Sequence, residues 1–355
     1  MTSSETSLQE RSISFDYEIE DAADLYRDEV LPEGVAEVDG NCGRVIPEEM
    51  EYVCLEGMSK VGRILRADAT IPDRLVVLSE YNELVTSLMS GRLSDENQSV
   101  VVLGQPGIGK TLFLVYLLLY RLKRRLPTAI QLGGVQYVVF DGRGAVVCRP
   151  NEAECRLQRC WALADSNASV GQPCPAFLGG ALRVIQATLP EASRWKHWAK
   201  QKMAMLHVMD LPGLMEVAAM VKESGCDPSE VPGYFSNWGP ATRGIINALH
   251  DPENHLRSLE SKARTAAGAI CEEPSILRTL SHRQYPGALN SVSSDVLFMR
   301  PYRAHNPDGT VQVHRHELVA MVPTRRLKDI LEDELRRMNN TRALEALRLQ
   351  SSGRG

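Results

Sequence analysis

The chain has 355 residues, 43% hydrophobic and 24% charged, with a net charge of −5 and eight cysteines, the composition of an ordinary globular protein of about two domains. Thinly spread thiols without a CxxC pair argue against a disulfide framework and for a reducing compartment. The longest apolar run, Leu112 to Tyr120, is too short to cross a bilayer, and the acidic start Met1 to Glu10 lacks the basic and apolar stretches of a secretory signal.

These features predict an intracellular protein, cytoplasmic or nuclear, with no conventional signal peptide and no membrane partner. Charge is uneven: residues 1–60 hold sixteen Asp/Glu against four Lys/Arg, net −12, which leaves +7 for the remainder. That asymmetry fits either a nucleic-acid-facing body with an acidic arm or a solvated acidic leader.

In chain order, residues 1–60 are broken by Pro32, Gly34, Gly40, Gly43 and Pro47 and read as an acidic leader, disordered or loosely helical. Residues 61–205 are expected to form an α/β core, 206–285 a helical lid, and 286–355 a small extension of strand and charged helix. Arg74 to Leu78 is strand-like, and Glu80 to Met89 places Tyr81, Leu84, Val85 and Leu88 at helical spacing. Gly91 to Gln98 is a polar loop.

From Ser99 strands and helices alternate, which predicts helices layered on a mostly parallel sheet. Val100 to Leu103 is a strand. Thr111 to Arg125 is a helix, apolar almost all round, that ends in Arg121, Lys123, Arg124 and Arg125, cations suited to a helix carboxyl end; Pro127 stops it. Val135 to Asp141 and Ala145 to Cys148 flank Gly142-Arg143-Gly144 as a hairpin, Arg156 to Ala164 leads into Asp165, and Leu182 to Ala187 ends at Thr188. Beyond Pro190 the pattern is mainly helical: Ala192 to Lys202, Gly213 to Glu223, Ala241 to Leu249 and His255 to Ala267. A strand at Asp295 to Arg300, a turn at Asn306 to Gly309 and an amphipathic helix at Thr324 to Leu347 follow.

One segment carries clear chemistry. Gly104-Gln105-Pro106-Gly107-Ile108-Gly109-Lys110-Thr111, continued by Leu112, fits GxxxxGK followed by Ser or Thr at every fixed position. Its glycines let backbone N–H groups approach phosphate oxygens, and the helix beginning there turns its positive end to the same place. Lys110 is predicted to reach the β and γ phosphates of ATP or GTP, and Thr111 to hold magnesium. Accidental matches in a chain of this length occur at about one per cent, and the preceding strand and following helix are what the mechanism requires.

A carboxylate at a neighbouring strand end should help hold the metal. Asp165 suits that role; the alternatives are an Asp that merely starts a turn, and Asp141, whose Asp-Gly pair is a hairpin signal. Ser166 and Asn167 stand where a water-orienting Glu often follows, and neither is a good general base, so binding is a firmer expectation than turnover. Glu191 is a substitute base that no pattern singles out. Thr188 and Arg243 are candidate γ-phosphate sensors, or else a strand-ending cap and a solvated helix residue.

Other groups have plainer readings. Arg194, Trp195 and Trp198 read as a packed helix face with one exposed cation rather than a base-stacking platform. The spacings of Cys148, Cys155, Cys160 and Cys174 match no common zinc site, and His314-Arg315-His316 lacks a third ligand in the pattern. The Arg325-Arg326 and Arg336-Arg337 pairs leave nucleic-acid binding open, although Glu332, Asp333 and Glu334 lie between them.

From Arg74 to Arg300 the ordered set resembles the P-loop module of Crinkler-type proteins and retrotransposon hot spot proteins. The resemblance is carried by Leu75 to Tyr81, Gly104 to Leu118, Trp161 to Asn167, and Ala187-Thr188 followed by Arg194-Trp195-Lys196. It implies an ATPase of the AAA or signal-transduction type coupled to an effector protein or nucleic acid, with an oligomer left open. The Leu-rich translocation motif of that family is missing, and the roughly 55 residues after the module are too few for a nuclease domain. A stand-alone module, a truncated family member or an incomplete gene model is expected, and nuclease activity is not implied.

Overall fold

The computed structural model describes residues 8–14, 49–67, 70–89, 98–152, 154–167, 170–273, 293–306 and 310–352. Strands β1 (Leu8–Ser14) and β2 (Glu49–Leu55) pair antiparallel; helix α1 (Met58–Leu65) follows, and β3 (Leu75–Val77) completes a three-stranded sheet in the order β1-β2-β3. This corrects the reading of residues 1–60 as disordered or loosely helical at both strands; the rest of that segment lies outside the described residues. The order comes from distant groups. Tyr52 donates to Glu223 at 2.7 Å, and Arg11 pairs with Glu223 and with Glu56.

After helix α2 (Ser79–Met89) comes the main α/β unit: β4 (Val100–Leu103), α3 (Lys110–Lys123), β5 (Thr128–Gln131), β6 (Tyr137–Asp141), β7 (Gly144–Cys148), β8 (Trp161–Asp165), α4 (Pro175–Gly180), β9 (Arg183–Thr188), α5 (Lys196–Gln201) and β10 (Met205–Val208). Its sheet runs β10-β4-β9-β8-β5-β6-β7. The first five strands are parallel, and the β6–β7 hairpin is antiparallel. Parallel strands covered on both faces need continuous apolar runs, and all four residues of β4 are buried.

Alternation along that strand feeds two cores. Val100 and Val102 face the cluster holding Tyr81 of α2, Phe113 of α3 and Val217 farther on, while Val101 and Leu103 face Phe177 of α4 and Trp198 of α5. Sequence periodicity passes over β5 and β10. Each has only four residues, and polar Thr128, Gln131 or His207 interrupts the apolar signal.

Helices α6 (Leu214–Glu223), α7 (Val231–Trp238), α8 (Thr242–His250) and α9 (Pro252–Glu272) follow, then the hairpin β11 (Phe298–His305) and β12 (Val311–Met321) and the long helix α10 (Arg325–Ser352). A third core joins Val208 and Trp238 to α9, the hairpin and α10. The fold is α/β: a core with a mostly parallel sheet between helices, then a helical region and a small α+β carboxyl-terminal part.

Candidate functional site

The loop from Gly104 to Gly109 leaves the end of β4 and enters α3. Gly107 and Gly109 have φ of 81° and 96°, in the left-handed region that favours glycine. A Cβ on Gly104 would lie 2.8 Å from Ile108 Cδ1, and one on Gly109 only 2.2 Å from the Tyr81 hydroxyl. Backbone alone fits there. Helix α3 has no side-chain cap, so its first N–H groups and positive dipole end are presented to the loop mouth, an arrangement suited to an anion. Pro106 is partly exposed, Ile108 is buried, and Leu112 packs on the core.

Lys110 folds back along the loop, its Nζ donating to the carbonyl oxygens of Gly104 at 2.8 Å and Gln105 at 2.6 Å. Burial pulls its ammonium down to about 7, with Asp165 opposing and Arg243 reinforcing the shift. Thr111 Oγ1 donates to Asp165 Oδ1 at 2.9 Å, joining the start of α3 to the end of β8. Asp165 is held by a further contact, the Asn167 amide, which donates to its Oδ2 at 3.2 Å and to the Leu132 carbonyl at 2.8 Å. Burial raises the Asp165 carboxyl, while Asn167, Thr111 and Lys110 pull the other way.

Strand β9 lies between β4 and β8, which places Thr188 directly beside Leu103, the residue before the loop. Its hydroxyl is fully buried and has no partner among the described residues. Arg243 stands at the start of α8 with its Cβ packed near Gly107: a Cβ on that glycine would be 3.3 Å away. Lys110, Thr111, Asp165, Thr188 and Arg243 thus surround one loop. Asp141 is elsewhere, accepting from Arg156 Nε at 2.7 Å and from the Arg143 N–H at 2.8 Å within the β6–β7 hairpin.

The groups next to Asp165 are already engaged. Ser166 donates its hydroxyl to the Gly171 carbonyl at 2.9 Å, and Arg194 reaches the Asn167 carbonyl at 3.1 Å while pairing with Glu191 at 2.6 Å. The hydrogen bond from Arg194, then that from Ser193, holds the Glu191 carboxyl below its usual range, which makes it a poor base as placed. Trp195 and Trp198 are buried, and Trp198 donates to Gln186 at 2.7 Å. They are packing residues.

Two contributors escaped the sequence pattern. Tyr81 donates its hydroxyl to the Gly109 carbonyl at 2.8 Å; helical spacing marks it only as core. Gln105 occupies a freely variable motif position, yet its buried amide donates to the Ser294 carbonyl at 2.5 Å and accepts from the Met299 N–H at 3.2 Å. No local signal reports a partner nearly two hundred residues away. A cavity of about 730 Å³ opens elsewhere, between α7, α9 and α10. It borrows no residue of the loop, and Glu260 pairs with two of its three arginines, Arg264 and Arg326.

No protein-family model matches the sequence, and no curated protein matches it. Among solved structures, the RuvB Holliday junction branch migration motor of Thermotoga maritima is similar at 12% identity and a TM-score of 0.33, covering 66% of this chain and 90% of that one. A point mutant of the same RuvB gives 12% identity and a TM-score of 0.35 over 67% of this chain and 93% of that one.

Proposed function

We propose that the chain binds ATP or GTP with magnesium and hydrolyses it slowly or when a partner stimulates it. The observation that carries this reading is the 2.9 Å hydrogen bond from Thr111 to Asp165, which unites the last motif residue with a strand-end carboxylate beside an uncapped helix amino end. The residues fit the ion: Thr111 and Asp165 are the hard oxygen donors that would hold magnesium. Magnesium bound there would neutralise charge on the phosphates.

Lys110 would exchange its two loop carbonyls for phosphate oxygens. The Thr188 hydroxyl, without a partner among the described residues, and the cation of Arg243 would meet the terminal phosphate and sense its presence. Asn167 would keep Asp165 oriented. The resemblance to Crinkler-type P-loop modules supplies the context in which an effector protein or nucleic acid acts as the stimulating partner.

A second reading, a nucleotide-bound switch without turnover, is favoured by one observation: the Ser166 hydroxyl, Asn167 amide and Glu191 carboxylate are all committed to other groups. Calorimetry with MgATP and MgGTP tests binding, and Lys110→Ala should abolish it; unchanged affinity in that variant would remove the nucleotide reading. Single-turnover phosphate release separates the two forms. Release that disappears in Asp165→Asn supports the enzyme, and none from wild type supports the switch.

A further inference from the structure

Strand β12 breaks its ladder. Tyr302 faces His314, yet the preceding Pro301 faces Leu318, so residues 315–317 bulge out of the pairing. Arg315 leaves the bulge toward α2, pairing with Glu80 at 2.5 Å and with Glu83. The other side chains of the bulge meet His314 at the surface. His316 Nε2 lies 3.4 Å and His314 Nδ1 3.9 Å from the same oxygen, Oε1 of Glu317, and one ligand atom from each residue falls within 4.8 Å of the other two.

Those distances can be compared with what an ion demands. Metal–ligand bonds of about 2.0–2.1 Å at a tetrahedral angle place ligand atoms about 3.4 Å apart. One edge of the triangle already has that length, and the rest need side-chain rotation of roughly an ångström. Two imidazoles and one carboxylate suit a borderline divalent ion of the zinc class, with open positions left for water or another ligand. Magnesium and calcium prefer all-oxygen shells, so this donor set does not duplicate Thr111 and Asp165. Arg315, anchored from the opposite side, fixes the backbone from which the three ligands project. The His314 ring also rests against Tyr302, with centroids 5.5 Å apart, which restricts its rotamers.

We propose that His314, His316 and Glu317 form a binding site for a zinc-class divalent ion, which pins the β12 bulge. The competing reading, a solvated histidine-rich strand surface, predicts no specific binding.

The test uses the full-length untagged chain, freed of metal by chelator. Zinc is titrated by calorimetry without nucleotide, and cobalt(II) is followed in the visible spectrum. The expected result is one equivalent of ion and ligand-field bands of a nitrogen–oxygen site, without the intense thiolate-to-cobalt band. His316→Ala and Glu317→Ala should each weaken zinc binding about tenfold or more, while Lys110→Ala leaves it unchanged and excess magnesium does not displace the ion. Both ligand positions are exposed, and circular dichroism checks that the variants stay folded; the wild-type cobalt spectrum stands without them. Absence of binding, or full binding in His316→Ala, would overturn the proposal. So would a thiolate band that vanishes in Cys226→Ser, which would move the ion to Cys226 and His250, whose Sγ and Nδ1 are 3.5 Å apart.

Discussion

Gly109→Ala separates two reasons for a glycine at the mouth of α3. The φ of 96° costs an alanine roughly 1–3 kcal/mol. In addition the new Cβ would sit 2.2 Å from the Tyr81 hydroxyl, whereas real contacts are at least 3.0 Å, so the ring must retreat by close to an ångström. It has little room: Tyr81 is 1% exposed, with the Phe113 and Tyr116 rings 5.7 and 5.8 Å away. Displacement and the lost hydrogen bond add about 2 kcal/mol, for a total of about 3–5 kcal/mol. Tyr81→Phe removes the clashing oxygen and leaves the next ring atom, Cζ, at 3.4 Å, an ordinary contact. By itself that change should cost about 1 kcal/mol or less, because the Gly109 carbonyl keeps the Phe113 N–H at 2.8 Å. In the Tyr81→Phe background, Gly109→Ala should therefore cost only its dihedral share, about 1–3 kcal/mol. Urea unfolding of the four proteins measures the cycle. Equal costs in both backgrounds would refute the steric account, and a cost under about 0.5 kcal/mol in wild type would refute both.

Arg315→Met leaves buried Glu80 with the His207 ring, 3.9 Å away, as its remaining basic neighbour among the described residues; it should destabilise by about 3 kcal/mol in urea, and adding Glu80→Met should recover part of the loss. Stability should also fall with acidification. Burial holds the His207 imidazole below its ordinary value of 6.5, with Glu80 pulling upward and Arg315 reinforcing the depression, so the unfolded chain takes the proton first. Its contribution is complete above about pH 6.5 and shrinks as pH drops through that value toward the folded one. Urea midpoints between pH 8 and pH 5 should show this slope, and His207→Asn should flatten it. Burial raises the Glu80 carboxyl, but His207 and Arg315 outweigh it and hold the group below its ordinary value of 4.5; its loss follows only below about pH 4.5.

Local chemistry made much of the core legible. The β4 strand, the glycine loop and α3 follow from a short apolar run, a fixed motif and a helix of good formers, all decided within a few residues. Asp165 was legible for the same reason, as the polar end of a buried strand. Features set by distant partners were not. Strands β1 and β2 are polar enough to read as leader, and they are ordered by Arg11 and Tyr52 meeting Glu223 across the fold. The bulge in β12 depends on register against β11, which no periodicity encodes. Asn167 reads as a turn residue until the Leu132 carbonyl and the Asp165 carboxylate are seen on either side of its amide.

Among the described residues, polar contacts tie the carboxyl-terminal hairpin to the core at Gln105 of the loop, at Glu80 of α2 through Arg315, and at Asp210 just after β10 through Arg303. The first contact matters most, because the Gln105 carbonyl also receives Lys110. If phosphate draws Lys110 away, the peptide that loses that hydrogen bond belongs to the residue whose side chain accepts from the Met299 N–H on β11. Coupling of this kind is reciprocal, so hairpin and nucleotide should sense each other through one residue. Amide exchange at Met299 should change on addition of MgATP, and Gln105→Ala should abolish the dependence while lowering stability by about 1–2 kcal/mol. A Met299 amide that exchanges identically with and without a bound nucleotide would leave Gln105 a packing residue and uncouple the hairpin from the loop.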